Sequence, residues 1–300
     1  LFPYTTLFRS EQIKNINVAQ NKNIQAAKYN FKPVNSPKFL IPVFAGTNCE
    51  YETAREIEKA GGKSEIFVIR SLTADEMKYS AEKFAEKLKN SQALILPGGF
   101  SNGDEPDGSG KFIAIFLRSP EVRASLEKLI NNREGLVCGI CNGFQALMRL
   151  GLLPYGEICE LKEDSPILTN NSLGRHVSQM VRTRVTSNLS PWLAGNSVGD
   201  IHTIAISHGE GRFMAEEKWL RKLAANGQIA TQYVDFENNP TEELPFNPNG
   251  STLAIEGITS ADGRIFGKMG HSERIGDNVC KNVPGNKNQH LFEAGVNYFS

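Results

Sequence analysis

"LVCGICNGFQALMRLGLL", residues 136–153, runs an apolar stretch into a cysteine, follows it with Asn-Gly, and resumes apolar residues at helical spacing. A short apolar run and then a 3.6-period pattern read as buried strand, turn and helix. Cys141 falls on the turn. Gly139 and Gly143 beside it let strand and helix approach closely, the logic that places serine in G-x-S-x-G elbows. The N-terminus of the following helix favours a thiolate, as does a cationic imidazole nearby. The backbone N–H of Asn142 can point at a developing oxyanion. The commonest fate of a cysteine is inert burial. The turn favours a nucleophile at Cys141, whereas Cys138, inside the strand, reads as inert. Cys138-x-x-Cys141 also has a redox or half-zinc spacing. No second C-x-x-C or close histidine accompanies it, and the first cysteine lies in mid-strand, so that reading is set aside.

Strands and helices alternate upstream of this stretch. "FLIPVFAG" (39–46), "SEIFVI" (64–69) and "ALILPGGFS" (93–101) read as strands. "CEYETAREIEKAGG", "TADEMKYSAEKFAEKLKNS" with Thr73 as cap, and "KFIAIFLRSPEVRASLEKLINN" read as helical. Such alternation implies right-handed crossovers and a mostly parallel, doubly wound α/β sheet with helices on both faces. Working groups then gather beyond the carboxyl ends of the strands, where both "PGGFS" and "CNGF" fall. Beyond residue 154 the chain becomes strand-rich: "RHVSQMVRTRV", "TIAISHGEGRFM", "QIATQYVDF", "TLAIEGITS" and "RIFGKMGHSE", with polar loops between.

Balanced charge, 33 basic against 33 acidic residues, gives no pointer to nucleic acid or an anionic membrane. No apolar run approaches the roughly 20 residues that span a bilayer. Five scattered cysteines do not form a secreted disulfide framework, which favours a reducing cytoplasm. Residues 1–10, "LFPYTTLFRS", match the translation of a common sequencing adapter and are read as an artefact. Residues 11–37 are polar and end in "KPVNSPK", a linker or the tail of a preceding domain. The folded domain is expected over residues 38–300. Residues 281–300 read as a polar loop and short tail, and core packing is the default for Cys49, Cys159 and Cys280.

A Gly pair after a strand, as in "LPGGFS" (96–101), can expose N–H groups in an anion-binding nest, with Gly99 as a second oxyanion donor. An ordinary strand-exit turn explains it equally well. A cysteine nucleophile also needs a base, and the base a carboxylate to orient it. Of the five histidines, His271 and His208 have a carboxylate two residues on, Glu273 and Glu210. Spacing alone does not choose between them. A surface histidine and solvated charges would explain either pair as well.

"CNGFQ" after an apolar strand, "LPGGFS" upstream and "GHSER" (270–274) together resemble the class I, triad-type glutamine amidotransferases, whose fold is flavodoxin-like. "FAGTNCEYETA", "RHVSQMVRTRV", "SHGEGRF", "QYVD", "NPNGS" and "DGRIFGKMGHSER" extend the likeness, over about residues 38–280, to the glutaminase domain of phosphoribosylformylglycinamidine synthases. The resemblance implies Cys141 as nucleophile, His271 as base and acid, and Glu273 as its orienter. It implies an oxyanion hole from the amides of Gly99 and Asn142, and Gln145 and Ser101 against the substrate glutamine, with no metal. Gln145 lies one helical turn into the elbow helix, where a helix-surface or core-edge glutamine is the plainer reading. His208 is the second choice of base, "SHGEGRF" reading as a structural or domain-contact loop. Many relatives have "PHPE" where this chain has Gly-His-Ser-Glu, so Gly270 and Ser272 loosen the local backbone.

The implied activity is hydrolysis of glutamine through a cysteine thioester. The ammonia would supply ATP-dependent conversion of formylglycinamide ribonucleotide to formylglycinamidine ribonucleotide. No cofactor is expected in this chain: it lacks a G-x-x-x-x-G-K-[ST] loop, so ATP and magnesium would belong to a synthetase part, the implied partner. Residues 11–37 fit the junction in the large single-chain form of that synthase, where the glutaminase is carboxy-terminal. Two other readings stand beside this one: a catalytically silent docking or regulatory module, and a stand-alone cysteine hydrolase of the same fold.

Overall fold

The computed structural model describes residues 16, 18, 26–103 and 109–300. The adapter reading of residues 1–10 lies outside the described residues, as does most of 11–25.

The first half alternates as expected: β1 (Lys38–Val43), α1 (Glu50–Lys59), β2 (Lys63–Val68), α2 (Ala74–Lys89), β3 (Ala93–Leu96), α3 (Lys111–Leu117), α4 (Pro120–Asn132), β4 (Leu136–Ile140), α5 (Asn142–Leu150) and the short α6 (Leu152–Tyr155). The Thr73 hydroxyl caps α2 by accepting from the Glu76 N–H at 3.2 Å. The stretch from Lys111 to Asn132 breaks in two at Pro120. Ser119 before it is extended, with φ −58° and ψ 141°, because proline drives its predecessor out of the helical region.

The second half gives β5 (Ile167–Asn170), β6 (Val177–Val185), β7 (Ile201–His208), β8 (Glu210–Met214), α7 (Glu217–Ala225), β9 (Ile229–Tyr233), β10 (Ile255–Thr259), β11 (Ile265–Lys268) and α8 (Leu291–Asn297). "TIAISHGEGRFM" is two strands, not one: β7 joins the main sheet and β8 pairs with β5 alone. Helices α7 and α8 stand where the sequence suggested polar loops and a tail.

Nine strands form one sheet in the order β2-β1-β3-β4-β11-β10-β9-β6-β7. From β2 to β11 neighbours are parallel, and from β11 to β7 antiparallel. The chain steps from β1 to β2 in one direction and back past β1 to β3 in the other. Right-handed crossovers therefore put α1 on the opposite face from α2. Contacts agree: α1 packs with α8, while α2, α4, α3 and α5 form a separate contiguous layer. Strands β3 and β4 are buried along their whole length, as double coverage requires. The reversal between β1 and β3 is a topological switch point, where such sheets open a crevice.

The chain ends fold back on this body. Phe292, Val296 and Phe299 are buried, and the Phe299 carbonyl accepts from Val34 N–H at 2.7 Å. The ring of Tyr29 stands edge-on to Phe299 with centroids 5.1 Å apart. All five cysteines are free. Among the described residues no helix is long and apolar enough to cross a membrane.

The elbow depends on one close approach. A Cβ at Gly143 would lie 2.1 Å from the Leu96 carbonyl oxygen, which belongs to a strand held on both sides. Gly143→Ala should lower the unfolding free energy by about 3 kcal/mol in denaturant titrations. Thr73→Ala, which removes only a cap, should lower it by about 1 kcal/mol.

Candidate active site

Strands β3, β4 and β11 end level, because Leu96 pairs with Gly139 and Ile140 with Lys268. Three loops therefore leave the sheet side by side: 97–101, the turn at Cys141, and 269–273. The Cys141 N–H donates to the Lys268 carbonyl at 2.8 Å, binding two of them together. Cys141 has φ 52° and ψ −105°, a conformation non-glycine residues rarely adopt, and it is the N-cap of α5. Its thiol sits 3.7 Å from the Ser207 carbonyl oxygen.

His271 is fixed from another direction. Its backbone N–H donates to the Ala205 carbonyl on β7 at 2.9 Å. Its Nδ1 donates to Glu273 Oε1 at 2.5 Å, and Cys141 stands close enough to the ring to help raise its pKa. A Cβ at Gly98 would fall 2.6 Å from His271 Cε1 and 3.4 Å from Cys141 Cβ, so the glycine turn after β3 lies against both. The three residues expected to form a triad thus meet, 130 residues apart in sequence between Cys141 and His271 (271 − 141).

The electrostatics set this histidine apart. Burial opposes charging His271, but the Glu273 carboxylate and hydrogen bonds to Cys141, Cys49 and Glu273 outweigh it, and its pKa lies well above the ordinary value. Glu273, wholly buried, is pushed up by burial and pulled down further by His271, so it stays ionised. Burial raises the Cys138 thiol, which remains protonated within β4. Burial drives His208 down to about 3, so it is neutral at physiological pH. It pairs with Asn171 Oδ1 at 3.2 Å, and a Glu210 carboxylate oxygen accepts from Ser109 N–H at 3.2 Å. Of the two histidines that spacing left open, His271 is the one paired with its carboxylate two residues on, while His208 pairs with Asn171.

Asn142 opens α5, so its N–H has no intrahelical acceptor. Its side chain braces the neighbouring turn: Oδ1 accepts from Ser101 N–H at 3.1 Å and Nδ2 donates to Gln145 Oε1 at 3.0 Å. Gly99 has φ +131°, and a Cβ there would lie 2.5 Å from the Gly46 carbonyl oxygen, so only glycine fits. Gln145 and Ser101 are both buried. The Gln145 amide is engaged at both ends, by Asn142 and, through Nε2, by the Glu210 carbonyl. In this structure it ties α5 to β8.

Three features were not legible beforehand. The "SHGEG" loop walls the site, with Ser207 against Cys141 and Glu210 against Gln145. Arg274 places Nη2 and Nε at 3.1 and 3.3 Å from Cys49 Sγ, itself 3.8 Å from His271 Nδ1. The position of Cys49 after β1, at the carboxyl end of a strand, was the available signal. Cys49, His271 and Glu273 bring candidate metal-ligating atoms within 4.8 Å of one another. The 2.5 Å between Nδ1 and Oε1 is a hydrogen-bond distance. Two ligands of one tetrahedral zinc, each about 2.0–2.2 Å from it, stand about 3.3 Å apart.

A family model described as a CobB/CobQ-like glutamine amidotransferase domain matches residues 36–299. A phosphoribosylformylglycinamidine synthase subunit PurQ from Methanococcus maripaludis strain C7 is 38% identical over 244 residues, covering 79% of this chain and 82% of the relative. The chain belongs to the PurQ family of glutamine amidotransferases. A PurQ subunit from Aquifex aeolicus is 34% identical, covering 81% of this chain and 92% of its own length. The solved structure of PurLQS from Thermotoga maritima contains a chain of the same fold, with TM-score 0.63 and 24% identity, covering 88% of this chain and 100% of that one. The PurQ family match spans both halves of the sheet, the parallel half with Cys141 and the antiparallel half that positions His271.

Replacing Glu273 by Gln removes the anion that holds His271 protonated. In NMR titrations of the His271 ring, Glu273→Gln should lower its pKa. A folded-state pKa raised above the unfolded value of about 6.5 contributes stability below that value, and this is lost as pH rises through the folded pKa. The stability gap between wild type and Glu273→Gln should accordingly narrow at alkaline pH.

Proposed function

We propose that this chain is the glutaminase part of a phosphoribosylformylglycinamidine synthase, and that Cys141, His271 and Glu273 are its catalytic residues. The observation that carries the reading is a cysteine on a strained strand-to-helix turn, packed with the Gly98 turn beside a histidine that an ionised, buried carboxylate orients. Glutamine is the substrate. The Cys141 thiolate attacks its side-chain amide carbon, and the resulting oxyanion is held by the N–H groups of Asn142 and Gly99. The C–N bond then breaks, and the His271 imidazolium gives its proton to the departing ammonia. Water, deprotonated by the now neutral His271, hydrolyses the glutamyl thioester. Glutamate leaves and the thiol is restored.

The names of the relatives support a partner, a synthetase that uses the ammonia to turn formylglycinamide ribonucleotide into formylglycinamidine ribonucleotide in purine biosynthesis. ATP and magnesium belong to that partner, since this sequence has no G-x-x-x-x-G-K-[ST] loop. A cytoplasmic setting follows from that pathway. The domain is read as residues 38–300, with 11–37 as the junction towards the synthetase.

Glutamate release from glutamine, measured with and without a synthetase partner added, tests this. Cys141→Ala should abolish release under both conditions, and Cys138→Ala should leave it within about threefold of wild type. If Cys141→Ala hydrolyses glutamine like wild type, the nucleophile is misassigned. If no form releases glutamate under either condition, the silent docking module takes its place.

A further inference from the structure

His271 sits between two residues that do little to fix a backbone. Glycine at 270 has the widest conformational freedom, and serine at 272 is short and unbranched. A base must nevertheless be held within a few tenths of an ångström of its working position. What holds it is a buried ion pair. Glu256, on β10, accepts the Gly270 N–H through Oε1 at 2.6 Å. Lys268, the last residue of β11, donates from Nζ to the Ser272 hydroxyl at 2.8 Å. The two are themselves paired, Nζ to Oε1, at 3.7 Å. Gln289, before α8, closes the set: its Oε1 accepts from Lys268 Nζ and from the Ser272 hydroxyl, each at 2.5 Å. Thr231 on β9 donates to the other Glu256 oxygen at 2.5 Å. All five side chains are at least 98% buried.

Two further details fit. A Cβ at residue 270 would stand 2.9 Å from Glu256 Oε1 and 2.1 Å from Ile204 Cδ1, so the glycine is what lets the carboxylate reach the backbone. And an ion pair taken out of water gains little net stability over an apolar pair of similar volume, so stability alone is a poor reason to keep one.

We infer that the buried Glu256–Lys268 pair is a positioning device for His271, clamping the segment on both flanks through Gly270 N–H and the Ser272 hydroxyl. The inference rests on the reading of His271 as the catalytic base. Among the described residues no hydrogen bond or ion pair joins the side chain of Glu256 or Lys268 to that of Cys141 or His271; they act through the backbone and side chain of the residues on either side.

The test uses the full chain and compares wild type, Ser272→Ala, the double variant Glu256→Gln/Lys268→Met, and His271→Asn. The double variant removes both charges together, so neither is left buried alone; Ser272→Ala removes only the hydroxyl that Lys268 holds. Glutamine turnover is measured across pH, with thermal melts alongside. The double variant should melt near wild type, keep KM within about threefold, and lose about 10- to 100-fold in kcat, the scale of a misplaced catalytic group. Ser272→Ala should lose about 3- to 10-fold. In both, the alkaline limb of the kcat/KM profile should move to lower pH, because a His271 that drifts from Glu273 and Cys141 loses the contacts that raise its pKa. A purely structural role would lower the melting temperature without moving that limb. If His271→Asn is inactive while the double variant and Ser272→Ala match wild type in kcat and in the alkaline limb, the clamp is overturned. If His271→Asn is itself active, the assignment of the base fails first.

Discussion

The contact between Gly143 and the Leu96 carbonyl governs the geometry of the site. Because a hydrogen is all that residue 143 presents to β3, α5 can begin immediately at the end of β4. The turn this forces puts Cys141 at φ 52° with its sulfur beyond the sheet. Strands β3, β4 and β11 end at one level, so the glycine turn, Cys141 and the His271 loop emerge together. The parallel half of the sheet alone would present the cysteine without a firmly held His271. The antiparallel half adds β7, whose Ala205 holds the His271 backbone, and β10, whose Glu256 reaches under it.

Beneath the surface of the site the protein keeps several ionisable groups away from water, and their partners determine what each becomes. His271 has a carboxylate beside it and is held protonated; His208 has an amide and is driven neutral. Burial pushes both rings towards the neutral form, and only His271 has a carboxylate beside it that outweighs burial. Lys268 is pushed down by burial and supported by the carboxylates of Glu256 and Glu273. Each carboxylate is thus fixed by a cation that also belongs to the β11 segment or its loop. Such a network is rigid because shifting one member leaves another uncompensated in a low dielectric. Rigidity at this place compensates for the pliable Gly270 and Ser272.

Much of this was legible in the chain. The apolar run at 136–140, the Cys-Asn-Gly turn and the helical periodicity after it dictate a strand, an elbow and a helix, because each is written in residues a few positions apart. The alternation of strands and helices before it dictates parallel pairing, and Thr73 caps its helix as its position suggested. Other features were hidden for the same reason. The burial of Phe292, Val296 and Phe299, the division of β7 from β8, and the engagement of Gln145 by Glu210 depend on partners 65 or more residues away or on a turn with no strong local signal.

The sequence by itself determined the alternating elements of the first half, the turn at Cys141 and a short list of candidate bases, since backbone propensity and side-chain periodicity act locally. Only the tertiary structure decided which histidine stands beside the cysteine. His271 and His208 each carry a carboxylate two residues on, and nothing in that spacing separates them. The difference is where the sheet delivers them: β11 runs parallel to β4 and brings His271 to Cys141 with Glu273 behind it, while His208 turns into the core towards Asn171. Charge state follows from that placement, because burial and neighbouring charge are properties of three-dimensional surroundings.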